Sequence, residues 1–112
     1  MSTADEIRLR HMLEAAREAI SFAQGRSRAD LEDNRMLFHA LVRSMEIIGE
    51  AASQVSRELR DVGCGLPWAD VIGMRNRLIH AYFDVDADII WDTATRDLPL
   101  LVVALEELIQ EG

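Results

Sequence analysis

Seven apolar residues, Leu37, Leu41, Met45, Ile48, Ala52, Val55 and Leu59, recur at steps of three or four over 23 positions. Only a helix puts residues at that spacing on one face. The stripe predicts one helix from about Asp30 to Arg60, about 45 Å long at 1.5 Å per residue and long enough to span the domain. Gly63-Cys64-Gly65 stops it. A first helix is expected from Asp5 to about Gln24, because Ile7, Met12, Leu13, Ala16, Ala19, Ile20 and Ala23 repeat at the same steps. Gly25 ends that helix, and Ser27 to Asp30 supply a loop and an N-cap.

Pro67 suits the first turn of a third helix, which fades near Tyr82. Asp84 or Asp86 caps a fourth that contains Ile89, Ile90 and Trp91. Asp97 followed by Pro99 marks a fresh helix start or a kink before Leu100 to Leu105. The last segment ends in Glu106, Glu107 and Glu111. No alternating β-branched run supports a strand. The expected fold is therefore all-α, an antiparallel four-helix bundle whose last helix is open to division in two. The 112 residues form a single domain. With 49% apolar but only 5% aromatic residues, its core is aliphatic and methionine-rich.

Several chemistries are excluded. Every one of the 12 basic residues is Arg, so a Schiff-base or P-loop lysine is absent. Cys64 is alone and forms no internal disulfide, which fits a reducing cytoplasm. Without a CxxC or a spaced His/Cys set, no structural zinc site is expected, and no cofactor is implied. No apolar run approaches the ~18 residues of a bilayer span. Asp5, Glu6, Arg8 and Arg10 leave no signal-peptide core in the first helix. The net charge of −8 makes the chain a poor non-specific nucleic-acid binder. It favours a basic protein partner, and admits RNA only if cations cluster locally or a partner contributes them.

Against this background Arg75-Asn76-Arg77-Leu78-Ile79-His80-Ala81-Tyr82 is dense in polar chemistry. A His moves protons near neutral pH, and an Arg supplies fixed charge where phosphoryl oxygens gain negative charge. On a helix Asn76 and His80 share a face. Val71, Ile72, Met74, Leu78 and Ile79 occupy a broad arc opposite, Arg75 falls inside that arc, and Arg77 points to solvent. An Arg among apolar residues needs a counter-charge or an opening. Either Glu46 or Glu50 of the second helix pairs with Arg75, or Arg75 reaches a cleft where an anion arrives, and the two are compatible. Asn76 either orients His80 or bonds backbone. His11 and His39 read as structural, Trp68 and Trp91 as core plugs or interface anchors, and Gly49 and Glu50 as packing and pairing residues.

The run from Arg75 to Tyr82 resembles the R-x4-H-x-Y motif of the HepT-like toxins, a branch of the HEPN superfamily. Three flanking segments are similar to that family as well. They are Arg43-Ser44-Met45-Glu46-Ile47-Ile48-Gly49-Glu50-Ala51, Pro67-Trp68-Ala69-Asp70-Val71-Ile72-Gly73-Met74, and Phe83-Asp84-Val85-Asp86 with Ile90-Trp91 and Asp97-Leu98-Pro99 behind it. Together they cover the chain from about Asp33 to its end. The resemblance implies a HEPN-type bundle that forms a homodimer or a higher oligomer, with two R-x4-H motifs meeting at the two-fold. It implies metal-independent endoribonuclease activity with Arg75 and His80 as the catalytic pair and Asn76 in support. Arg77 gains no role beyond added positive potential. It further implies an MNT-type minimal nucleotidyltransferase as antitoxin, which adenylylates Tyr82, as in type VII-like pairs. A second reading stands beside this one, in which the chain is a non-catalytic partner that binds the nucleotidyltransferase and presents Tyr82.

Overall fold

The computed structural model describes the backbone of residues 1–62, 66–81 and 87–111, and the side chains of those residues except 75–77, 79–81 and 111. Every element among the described residues is helical. They are α1 (Thr3–Ala23), α2 (Asp30–Asp33), α3 (Arg35–Gln54), α4 (Arg57–Val62), α5 (Trp68–Ala81), α6 (Ala87–Asp92), a π-helical turn (Thr93–Asp97) and α7 (Leu98–Glu111). Helix α1 packs along α3 and α7, and α5 packs on α3. These four helices form the bundle. Leu9, Met12, Phe38, Leu41, Met45, Ile48, Leu98 and Leu105 fill its centre, each at most 2% exposed.

The expected helix from Asp30 to Arg60 is divided in three. The apolar stripe is unbroken, so periodicity gives no sign of the breaks; polar side chains make them. Asn34 leaves helical geometry (φ −115°, ψ 94°) and its side chain accepts the Leu37 amide at 3.1 Å, capping α3. Val55 is extended, and the Ser56 hydroxyl accepts the Leu59 amide at 3.2 Å, capping α4. The 20 residues of α3 span about 30 Å, short of the molecule's 42 Å long axis.

Ser56 is held from outside its own segment. Its amide and hydroxyl donate to the two carboxylate oxygens of Asp5, at 2.9 and 2.6 Å. Asp5 lies in the first turn of α1, whose cap Ser2 accepts the Asp5 amide. This latch fixes the start of α1 against the end of α3, so the two run antiparallel. The Ser56 hydroxyl, then the Ser56 amide, lower the Asp5 pKa below its ordinary 3.8, with burial opposing them. A depressed carboxylate pKa contributes stability that is present above the unfolded-state value. It is lost as pH falls through the folded-state value. Asp5→Asn is therefore expected to cost about 1–3 kcal/mol at pH 7 and to flatten the decline of Tm below about pH 4. Melting of the two proteins across pH checks this; parallel acid limbs contradict it.

The first helix ends as Gly25 requires. Gly25 has φ +75°, a left-handed conformation that glycine adopts without strain. At the other end of the chain, the last helical stretch is divided just before Pro99 into α6 and α7, with a π-helical turn between them. The chain stays helical from Ala87 to Glu111 through a π turn in which the Leu98 amide reaches the Thr93 carbonyl. A prolyl ring clashes with the carbonyl four residues back and offers it no donor; one wide turn before Pro99 relieves both effects. The Thr93 and Thr95 hydroxyls donate back to the Ile89 and Trp91 carbonyls at 2.7 Å, a pattern that bends helices. Arg28 ties α2 to α6, bonding Glu32 at 2.9 Å and Asp88, and both carboxylates raise its pKa further, Asp88 most.

Candidate functional site

Helix α5 carries the motif. Its start is set by Pro67, whose carbonyl accepts the Val71 amide at 3.0 Å, and by the Trp68 amide bonding Leu66 at 2.9 Å. Trp68, Val71, Met74 and Leu78 are buried, the three-and-four spacing of an inward face. The helical backbone continues through Ala81. Arg75 and His80 thus lie on one uninterrupted helix, and positions 76 and 80 are one turn apart. The side chains of Arg75, Asn76, Arg77 and His80 lie outside the described residues, and so does the whole of Tyr82. The expectations for their contacts, including a counter-charge for Arg75, fall there too, as does Cys64.

Helix α3 presents the neighbouring polar groups. Glu46 is half-buried, and its Oε2 stands 3.4 Å from Nη1 of Arg43, three residues earlier. Glu50 is exposed and lines a groove of about 490 Å³ between α1 and α3, together with Arg8, His11 and Arg43. The structure therefore brings Arg43 to Glu46 and places Glu50 in that groove. Gly49 is buried within α3.

The residues read as structural are of two kinds. Trp68 is buried, and Trp91 is half-buried against the core. His11 and His39 are both exposed. His39 sets its ring edge against Phe38 at 5.5 Å, and the Arg35 guanidinium lies 4.5 Å over that same ring. Among the described residues no three His, Cys, Asp or Glu gather as metal ligands. No helix among them is long and apolar enough to cross a membrane. A second groove, about 410 Å³, separates the first half of α5 from α7; Val71, Met74, Leu98, Leu101 and Ala104 line it with Asp70 and Asp97. Neither groove is visible in the sequence, because each forms between helices whose pairing the sequence does not state.

The family model described as ribonuclease HepT-like matches residues 12–108. A candidate RNase of Caldanaerobacter subterraneus subsp. tengcongensis is 38% identical over 103 residues, 92% of each chain. A candidate RNase of Methanocaldococcus jannaschii is 33% identical over 95 residues, 85% of this chain and 87% of the relative. The protein of Thermococcus cleftensis named probable ribonuclease HepT is 39% identical over 69 residues, 62% of this chain and 63% of its own. No solved structure gives a significant match.

Proposed function

The chain belongs to the HepT-like ribonuclease family, and on that premise we propose that it is a metal-independent endoribonuclease, the toxin of a toxin–antitoxin pair. The observation that carries this reading is the R-x4-H-x-Y run beginning on the unbroken backbone of α5, inside the span the family shares.

The reaction is transesterification at phosphorus. The ribose 2′-oxygen attacks the adjacent phosphate, the bond to the 5′-oxygen breaks, and a 2′,3′-cyclic phosphate remains. His80 accepts the 2′-hydroxyl proton or donates one to the departing 5′-oxygen. Arg75 stabilises the charge on the phosphorane oxygens. The nucleophile is already part of the substrate, so positioning replaces activation of a water. Asn76, one turn from His80, orients the imidazole. Two chains meet at a two-fold and their motifs share one cleft. A cytoplasmic MNT-type nucleotidyltransferase restrains the enzyme by adenylylating Tyr82.

The family's name supports the nuclease, and the motif supports the residue roles. The net charge of −8 without a single Lys favours a second reading, a non-catalytic subunit that binds the nucleotidyltransferase and presents Tyr82. One experiment separates them. At micromolar concentration the purified chain is expected to scatter light as a two-chain particle and to cut single-stranded RNA. A particle that leaves RNA whole supports the second reading, and a one-chain particle contradicts the shared cleft.

A further inference from the structure

An acidic chain that acts on RNA must concentrate cations somewhere, because phosphate contacts dominate affinity for nucleic acid. We propose that the groove between α1 and α3, lined by Arg8, His11 and Arg43, binds the phosphodiester backbone of single-stranded RNA at a site apart from the motif. The proposal rests on the ribonuclease reading for the identity of its ligand.

The groove is built by the antiparallel pair that the Asp5–Ser56 latch aligns. Arg8 and His11, about one turn apart, line it from α1, and Arg43, Ile47, Glu50, Ala51 and Gln54 from α3. From position 43 to position 54 an α-helix rises about 16 Å, so the lining cations are spread along the groove rather than gathered at one point. A strand laid along the groove therefore meets cations at more than one phosphate. The two guanidiniums are available. Arg8 has no ion pair among the described residues, and Arg43 holds Glu46 only at 3.4 Å, with its side chain 68% exposed. The one carboxylate in the lining is Glu50, so two guanidiniums face one carboxylate there while the whole chain carries −8.

A nearby surface shows the contrast. The groove on the outer face of α1 also holds two arginines, Arg10 and Arg17, but Glu14 and Glu18 share its lining. Two carboxylates match the two guanidiniums in that lining, so charge there is cancelled. The chemistry of the α1–α3 groove suits backbone rather than base. Its apolar residues are only Ile47 and Ala51 and it holds no Trp, Tyr or Phe on which a base could stack, while Arg suits phosphate oxygens in paired hydrogen bonds. Helix α5 also packs on α3, so the groove and the motif-bearing helix share α3 as a neighbour.

The test is fluorescence anisotropy with a labelled single-stranded RNA whose 2′-hydroxyls are all methylated, so that binding is read without cleavage. Losing two phosphate contacts is expected to make the plot of log K against log salt shallower by about 1.4, at about 0.7 per contact. Affinity at 0.1 M salt should fall about tenfold or more. Arg8→Gln with Arg43→Gln should show both changes. Arg26→Gln with Arg96→Gln, equal in charge and on exposed residues elsewhere, should show neither. Gln54→Arg adds a cation to the groove and should steepen the slope by about 0.7, which keeps the proposal testable if the double variant fails to fold. The groove is overturned if the double variant matches wild type or its charge-matched control, if Gln54→Arg leaves the slope unchanged, or if wild type does not bind the oligonucleotide. Cleavage of unmodified RNA is read separately. Wild-type binding without cleavage removes the nuclease reading and leaves the groove standing; cleavage with an unchanged double variant does the reverse.

Discussion

Replacing His80 with alanine is expected to slow RNA cleavage by about 10²-fold or more, and Arg75→Ala by about 10²–10³-fold. The two losses have different origins. Without His80 no group on the motif transfers a proton near neutral pH, so the remaining rate should lose the pH dependence that an imidazole imposes. Without Arg75 the proton transfer survives but the phosphorane loses its fixed cation. Arg75→Lys should recover only part of the rate, since an ammonium cannot reproduce a planar two-pronged donor. Both variants are expected to keep a cooperative melting transition. Among the described residues the buried face of α5 is made by Trp68, Val71, Met74 and Leu78, and none of these changes. Cleavage rates and melting curves on the same preparations check this. Full activity in both variants removes the catalytic assignment, and loss of the melting transition makes the residue structural.

Adenylylation of Tyr82 is expected to abolish cleavage almost completely. Tyr82 follows His80 by two positions, immediately after the last residue of α5. An AMP group there adds bulk and a phosphodiester charge beside the cation that would meet the substrate phosphate. A single modification then supplies both obstruction and mimicry. Incubation with the cognate nucleotidyltransferase, ATP and Mg²⁺ should add the mass of one AMP to each chain, and Tyr82→Phe should gain none. An unmodified wild type, or an AMP-sized gain that persists in Tyr82→Phe, contradicts the proposal. A modified chain that still cuts RNA contradicts the inhibitory role.

The bundle was legible because its helices announce themselves through apolar spacing. The stripe from Leu37 to Val55 became a buried face, as did Met12, Leu13, Ala16, Ala19 and Ala23 of the repeat in α1, whereas Ile7 is 47% exposed, Ile20 is half-buried and Leu9 is buried instead; Gly25 took the left-handed turn that ends α1. The breaks at Asn34 and Ser56 were not legible from periodicity, since a capping side chain interrupts the backbone without disturbing the stripe. Asn34, placed three residues before the buried Leu37, was the local sign available. The partner of Ser56 lies 51 residues away at Asp5, and no local pattern connects them. Likewise Pro99 announced a disturbance, but a π turn and a break have the same sequence signature. The motif was legible as a string of residue types; the α1–α3 groove was not, because Arg8 and Arg43 become neighbours only when two helices pack. His11, read as structural, lines that groove and is exposed.

The most direct measurement is the chemistry of the cut ends. Wild-type protein is incubated with a defined single-stranded RNA in excess chelator, and the products are resolved by mass. Attack by the 2′-oxygen predicts a 2′,3′-cyclic phosphate, or the 3′-phosphate from its opening, on one fragment and a free 5′-hydroxyl on the other, with the rate unaffected by chelator. Fragments carrying 5′-phosphate and 3′-hydroxyl ends, cleavage that stops on chelation, or RNA that stays whole would contradict it.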